Sequence, residues 1–265
     1  MLRGGGFDLI ILLTNDDGIH AEGINILGDT LLQMEGVDLF IAAPDHERSA
    51  SGHAITMHRP LRAEQTKFLH NSSLKGWSIN GTPADCVKLA VEYLMPKRPD
   101  LVISGINKGA NLGTDVLYSG TVSAAIEATI LGIPGIAISL TTYEKPDFRF
   151  AANFVPRLLN ILGGKNLPDK TLLNINVPGI VRSKIAGVSI THLGLRHYRN
   201  AFQKRVDPRG KSYFWMAGEP DDSAKEDEGS DIYAISKGYI SITPVHFDLT
   251  NHKLIEEMQE LKWEI

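Results

Sequence analysis

"DLVISGINKGANLGTDVLYSGTVSAAIEATILGIPGIAISL", Asp100 to Leu140, carries the pattern that decides the fold. It opens on a short apolar run, "DLVISG" (100–105), and crosses a glycine-rich loop into a helical pattern at 121–131. It then returns to a second apolar run, "IPGIAISL" (133–140). Both runs are apolar almost throughout, as strands covered on both faces are, and Gly132 closes the helix between them. Strand, helix and strand in this form predict a parallel sheet.

Outward from this unit the alternation repeats. "LIILLT" (9–14), "VDLFIAA" (37–43) and "LLNINVP" (172–178) read as further strands, with helical patterns at 22–34, 83–94 and 148–162. The helix at 83 has a full start signal: Thr82 as N-cap, Pro83 at the first helical position and Asp85 in the first turn. The expected fold is α/β, a doubly wound, mostly parallel sheet. Residues 1–186 form the core, with an excursion at 44–82 that includes a hairpin. Residues 187–265 form a β-rich extension through "VSITHL", "SYFWMAG" and "YAISKGYISITPV", closed by an amphipathic helix, "HKLIEEMQELKW". Glu219 to Asp231 holds seven acidic residues against Lys225 and reads as a solvated loop.

A chain of 265 residues can bury roughly 70–75% of its unfolded surface, so it needs no disulfide or structural metal to fold. The net charge of −4 gives no electrostatic case for nucleic acid or a membrane surface as a partner. One cysteine, Cys86, excludes an intramolecular disulfide and fits a reducing compartment. "MLRGGGFDLIILL" imitates a signal peptide only briefly: Asp8 interrupts it and no small-residue cleavage site follows. No apolar run approaches a membrane span, and a cytoplasmic location is expected.

In an open parallel sheet, ligands bind outside the carboxyl ends of the strands. The loops expected there are "TNDDGIHAEG", "APDHERSASGH", "SGINKGANLGTDVLYSGT" and "SLTTYEKPD". The first sets Asn15, Asp16 and Asp17 at the mouth of strand one. Alone, the pair reads as a helix cap with a solvated neighbour. The third loop spans eighteen residues, with glycines at 105, 109, 113 and 120. Its end, Ser119, Gly120 and Thr121, begins a helix, where exposed amides and the helix dipole favour phosphate. A flexible loop with ordinary capping is the alternative reading. Two carboxylates beside a phosphate cradle would repel the ligand unless a cation lay between them. With a serine hydroxyl and an asparagine amide, the donors are hard oxygens that suit Mg²⁺ or Mn²⁺ better than zinc. Such an ion makes phosphate-ester hydrolysis feasible. P-loop, GxGxxG and GxSxG patterns are missing, and His46, His53 and His58 lack a metal-site frame, although one of them could serve as a proton donor.

These motifs together resemble the SurE family of 5′/3′-nucleotidases. The likeness covers "ILLTNDDGIHAEGI", "APDHERSASGHAIT", "NGTPADCVKLA", "DLVISGINKGANLGTDVLYSGTVSAA", "IPGIAISL", "LLNINVP" and "GYISITP". The resemblance implies one divalent cation per subunit, Mg²⁺ or Mn²⁺, held by Asp16, Asp17, Ser49 and Asn107. It places Asn111, Ser119, Gly120 and Thr121 on the phosphate side, and Asn15 is expected to join them. It further implies a Rossmann-like core, nucleoside 5′- and 3′-monophosphates as substrates, and a homodimer or homotetramer with exchanged C-terminal elements. The expected mechanism is attack by metal-activated water, with Asp16 or Asp17 taking its proton and Asp17 preferred. An Asp16 nucleophile forming an aspartyl-phosphate is the rival mechanism, but haloacid-dehalogenase-like phosphatases space their two aspartates two apart. A non-catalytic nucleotide sensor is the rival function.

Overall fold

Leu12 and Leu13 are neighbours on the first strand, and each is fully buried in a different core. This is what a strand with helices on both faces does, because successive side chains point to opposite sides. The computed structural model describes residues 9–67, 75–144, 146–163, 167–199, 202–216, 218–220, 227–261 and 263.

The chain runs β1 (Leu9–Thr14), α1 (Glu22–Leu31), β2 (Val37–Pro44), β3 (Ala63–Lys67), β4 (Lys75–Ile79), α2 (Pro83–Leu89), β5 (Leu101–Lys108), α3 (Gly120–Ile130), β6 (Gly135–Leu140), α4 (Arg149–Leu162) and β7 (Thr171–Val177). It continues through β8 (Gly187–Ile190), β9 (Tyr198–Arg199), β10 (Phe202–Val206), β11 (Ser212–Met216), β12 (Glu219–Pro220), α5 (Asp231–Ser236), β13 (Tyr239–His246) and α6 (His252–Gln259). One nine-stranded sheet has the order β3-β4-β2-β1-β5-β6-β7-β13-β8. Pairings from β4 through β7 are parallel, while β3 joins β4 and β13 joins β7 antiparallel. From β1 the chain winds outward to β2 and β4, then returns to lay β5, β6 and β7 on the other side. The winding reverses between β1 and β5, which opens a crevice at their carboxyl ends.

Helices α1 and α4 cover one face through Ile24, Leu27, Leu31, Val155 and Leu158 against Ile11, Leu13 and Ile103. Helices α2 and α3 cover the other through Cys86, Val87, Ala124 and Ala128 against Leu12 and Val102. Each large aliphatic side chain buried here contributes roughly 1.5–3 kcal/mol. Helix α2 starts as its sequence predicts: Thr82 and Asp85 form a reciprocal capping box with Pro83 behind it. Among the described residues no helix is long and apolar enough to cross a membrane.

Several details differ from the sequence expectation. Strand β5 runs on to Lys108, with a register shift between Ser104 and Asn107, so the long loop is shorter than its glycines suggest. The hairpin expected within the excursion is present as β3–β4, and it widens the sheet. Tyr233 to Ser236, read as strand, belongs to α5, which Ser230 caps. Strands β8 and β13, from the extension, hydrogen-bond into the same sheet as the core strands. The acidic stretch is not uniformly solvated. Residues 221–226 lie outside the described residues, but Asp231 at its end is fully buried. Its carboxylate accepts from the amides of Gly113 (2.8 Å), Gly194 (2.9 Å) and Ile232 (2.9 Å). Burial pushes this carboxyl up, and the amides oppose that. The N-terminal "MLRGGGFD" also lies outside the described residues.

Asp231→Ala leaves the Gly113 and Gly194 amides without their acceptor and should cost about 2–4 kcal/mol, read as a lower urea midpoint. An unchanged midpoint would mean that this anchor carries no stability. Within α3, Glu127 is 5% exposed, and His53 lies 2.8 Å from its Oε2 with Lys88 3.5 Å from its Oε1. The hydrogen bond to His53 comes first in holding Glu127 below the usual carboxylate range. A depressed carboxylate adds stability that is present above about pH 4.3 and is lost as pH falls through the folded value. Thermal unfolding of Glu127→Gln should therefore lose less Tm than wild type between about pH 5 and pH 3. Parallel curves would contradict it.

Candidate active site

Asp16 follows β1 by two residues and is 4% exposed. Its Oδ1 accepts from the Thr121 hydroxyl at 2.5 Å and its Oδ2 from the Thr121 amide at 3.1 Å. The carboxylate that ends strand one is therefore seated on the first turn of α3, across the crevice between β1 and β5. Gly120 makes the approach possible, since a Cβ there would lie 2.8 Å from the Asp16 Cβ and 3.0 Å from the Ser51 hydroxyl. Burial, more than any other influence, raises the Asp16 carboxyl to about 6, Thr121 pulls it down and the neighbouring Asp17 charge adds to the rise.

Asp17 is less buried and accepts from the Lys108 amide at 3.0 Å, which brings the end of β5 against the first loop. Its carboxyl is also raised, first by burial and further by the charge of Glu47, while the Lys108 amide opposes. Asn107 precedes Lys108 and donates its amide to the Gly109 carbonyl at 2.9 Å. Asn15 is fully buried and donates to the Gly18 carbonyl at 2.9 Å, while its Oδ1 has no partner. The second loop docks on the first through the Arg48 amide, which donates to the Asp16 carbonyl at 2.7 Å. It meets the third where the Gly52 amide donates to the Tyr118 carbonyl at 2.9 Å. Within it the Ser51 hydroxyl is buried without a partner, whereas Ser49 is exposed and donates to Glu47 at 2.6 Å.

The candidate residues thus fall into groups. Asp16, Asp17, Asn15, Gly120 and Thr121 converge, and Asn107 adjoins them through Lys108. Ser49 shares the rim next to Arg48, with its hydroxyl turned to Glu47. Ser119 caps α3 by accepting from the Val122 amide at 3.1 Å. Asn111 is bonded to β6 and β7. Its side chain donates to Ser139 at 2.8 Å, and its carbonyl accepts from Asn174 and Asn176, both at 2.9 Å. Of the histidines, His46 pairs with Asp45 at 2.6 Å and His53 with Glu127. Sequence reasoning missed Lys108 and Glu127. The only signal for Glu127 was a lone carboxylate in the apolar helix "SAAIEATI". Lys108 acts through its backbone and has no side-chain signal at all.

The donor chemistry fits a hard divalent cation. Two desolvated carboxylates stand side by side, with the unpartnered buried oxygen of Asn15 in the same loop and that of Ser51 in the loop docked on it. Among the described residues no group of three or more His, Cys, Asp or Glu side chains could hold a metal. A cation here would therefore rely on neutral oxygens beside the two carboxylates.

Comparison with known proteins gives a consistent picture. The family model described as "Survival protein SurE" matches residues 11–200. The 5'-nucleotidase SurE of Pelotomaculum thermopropionicum is 56% identical over 251 residues, covering 95% of this chain and 94% of that protein. The 5'-nucleotidase SurE of Heliobacterium modesticaldum is 54% identical over 250 residues, covering 94% and 90%. The crystal structure of the SurE protein from Aquifex aeolicus superposes with a TM-score of 0.80 at 39% identity, covering 94% of this chain and 98% of that one. A family match across the first three strand-end loops, full-length relatives and a shared architecture lead to one conclusion: this chain belongs to the SurE family.

Proposed function

We propose that the protein is a divalent-metal-dependent nucleotidase that hydrolyses nucleoside 5′- and 3′-monophosphates to nucleoside and phosphate. The observation that carries this reading is the carboxylate pair joined to the start of α3: Asp16 bonded to Thr121, with Asp17 beside it. The names of the full-length relatives, 5'-nucleotidase SurE, support the substrate class.

Asp16, Asp17, Ser49 and Asn107 would hold one Mg²⁺ or Mn²⁺ per subunit. Once bound, such an ion polarises a phosphoryl oxygen and lowers the pKa of water. The chain's own groups do the rest. The start of α3, with the Ser119-capped turn, presents its positive end to the phosphoryl oxygens. Thr121 fixes the Asp16 carboxylate, and the Lys108 amide fixes Asp17. Asp17, the less buried of the two, takes the proton from the attacking water. The β-rich extension at 187–265 serves a dimer or tetramer with exchanged C-terminal elements. The exposed faces of β10 and β11 support that reading, with Phe202, Phe214 and Trp215 each at least 60% exposed. A reducing, cytoplasmic setting fits the single buried thiol of Cys86.

Phosphate release from AMP and 3′-AMP should require added Mg²⁺ or Mn²⁺, stop with EDTA and recover when the ion is restored. Asp17→Asn should lower kcat by roughly 10²–10⁴-fold, the range expected for losing a general base. If the metal-loaded protein releases no phosphate while Asp16→Asn still binds AMP, the protein is a sensor. Labelled phosphate trapped on the chain would replace water attack by an aspartyl-phosphate route.

A further inference from the structure

A nucleotidase must distinguish a nucleotide from a simple phosphomonoester, and the phosphate site described above offers no means of doing so. Such a means would lie on the rim of that site, and Tyr143 is an exposed aromatic side chain whose ring lies on Gly109, at the end of β5 next to Asn107 and Lys108. Tyr143 is 72% exposed, yet its backbone sits in a tightly bonded turn after β6. The Thr141 amide donates to the Val177 carbonyl (2.9 Å), the Thr142 amide to the Leu140 carbonyl (2.8 Å) and the Glu144 amide to the Thr142 hydroxyl (3.2 Å).

The Tyr143 ring is seated on Gly109. A Cβ at Gly109 would lie 2.6 Å from the ring's Cε1, Cζ and phenol oxygen, and Gly109 has φ +115°. Only glycine suits this position on both counts. Gly109 is also part of the catalytic frame, because its carbonyl accepts from Asn107 and the preceding amide, Lys108, holds Asp17. The ring therefore borders the metal and phosphate site through two short backbone links.

A second group is built on the later part of the same β5–α3 loop. The Tyr198 hydroxyl donates to Asp115 Oδ2 at 2.5 Å, and Arg196 donates to the same oxygen at 2.7 Å. The Arg196 guanidinium lies 5.4 Å from the centroid of the Tyr198 ring. Thr114 fixes the Arg196 backbone, its hydroxyl donating to the carbonyl at 3.0 Å. Burial first, then the bond to Asp115, pushes the Tyr198 phenol up to about 12, and the Tyr143 phenol is close enough to add to the rise. Two tyrosines and a guanidinium offer π-faces for stacking, and the Asp115 carboxylate offers an acceptor for an exocyclic amine.

We propose that Tyr143, seated on Gly109, is the platform on which the substrate's nucleobase stacks, with the Tyr198–Asp115–Arg196 cluster as the neighbouring wall of that subsite. This rests on the nucleotidase reading above and adds its specificity determinant. Every base has a π-face, so a stacking platform separates nucleotides from base-free esters without selecting one base strongly.

The test compares AMP, ribose 5-phosphate and p-nitrophenyl phosphate on wild type, Tyr143→Ala, Tyr143→Phe and Tyr143→Trp, all loaded with Mn²⁺. Tyr143→Ala should raise KM for AMP by roughly 5- to 100-fold, the loss expected for one base–aromatic stack. Its kcat on AMP, and both constants on ribose 5-phosphate, should stay within about twofold of wild type. Tyr143→Phe and Tyr143→Trp should restore the AMP KM. An unchanged AMP KM in Tyr143→Ala, or an equal rise on ribose 5-phosphate, overturns the subsite. So does a wild type that is active but no better on AMP than on ribose 5-phosphate. A wild type that cleaves no nucleotide strikes the nucleotidase reading itself and takes the subsite with it.

Discussion

The bond between Asp16 and Thr121 is the constraint from which the rest of the site follows. It joins the end of the first strand to the start of the third helix, two points 105 residues apart in sequence. Burying a carboxylate in this way is unfavourable, and the raised Asp16 pKa of about 6 registers that burial. Two donors from one threonine offset part of it, and hydrogen bonds to a charged acceptor contribute about 1.5–3 kcal/mol each. The geometry tolerates no side chain at Gly120, because a Cβ there would crowd Asp16 and Ser51. The second loop then docks on the same residue through the Arg48 amide. Three loops are thus ordered around one carboxylate.

The glycine-rich loop between β5 and α3 shows how composition and behaviour can part. Its glycines and asparagines leave a flexible loop open as the alternative reading, but its backbone is held from outside. Asp231, from the extension, accepts from Gly113. Asn174 and Asn176, from β7, clamp Asn111 by its carbonyl, and Asn176 also accepts from its amide. Apart from the Asn174 Oδ1, these buried polar groups satisfy one another, which makes their positions specific. The extension therefore takes part in shaping the loop that carries Ser119, Gly120 and Thr121.

A site built this way divides its work between rigid and exposed parts. The deep part consists of buried carboxylates and backbone amides, whose positions the sheet sets at the reversal between β1 and β5. The outer part consists of exposed aromatics, such as Tyr143, on a turn held by its own hydrogen bonds. In the proposed nucleotidase, chemistry common to all phosphate esters would fall to the first, and recognition of what the phosphate is attached to would fall to the second.

The sequence alone determined the layers and most of the elements, because burial on two faces writes long apolar runs and helices write their own caps. "LIILLT", "VDLFIAA" and the Thr82–Pro83–Asp85 start needed no distant partner to be read. It also marked Asp16, Asp17 and the start of α3 as one chemical unit, since two carboxylates beside an anion cradle call for a cation. Tertiary structure alone decided what each polar side chain bonds to. Asn111 is bonded to β6 and β7, Asp231 is an anchor and not a solvated acid, and Lys108 contributes its amide. Local periodicity reports which face of an element is buried; hydrogen bonds across 65 to 118 residues depend on how the sheet brings loop ends together, and no local pattern encodes that.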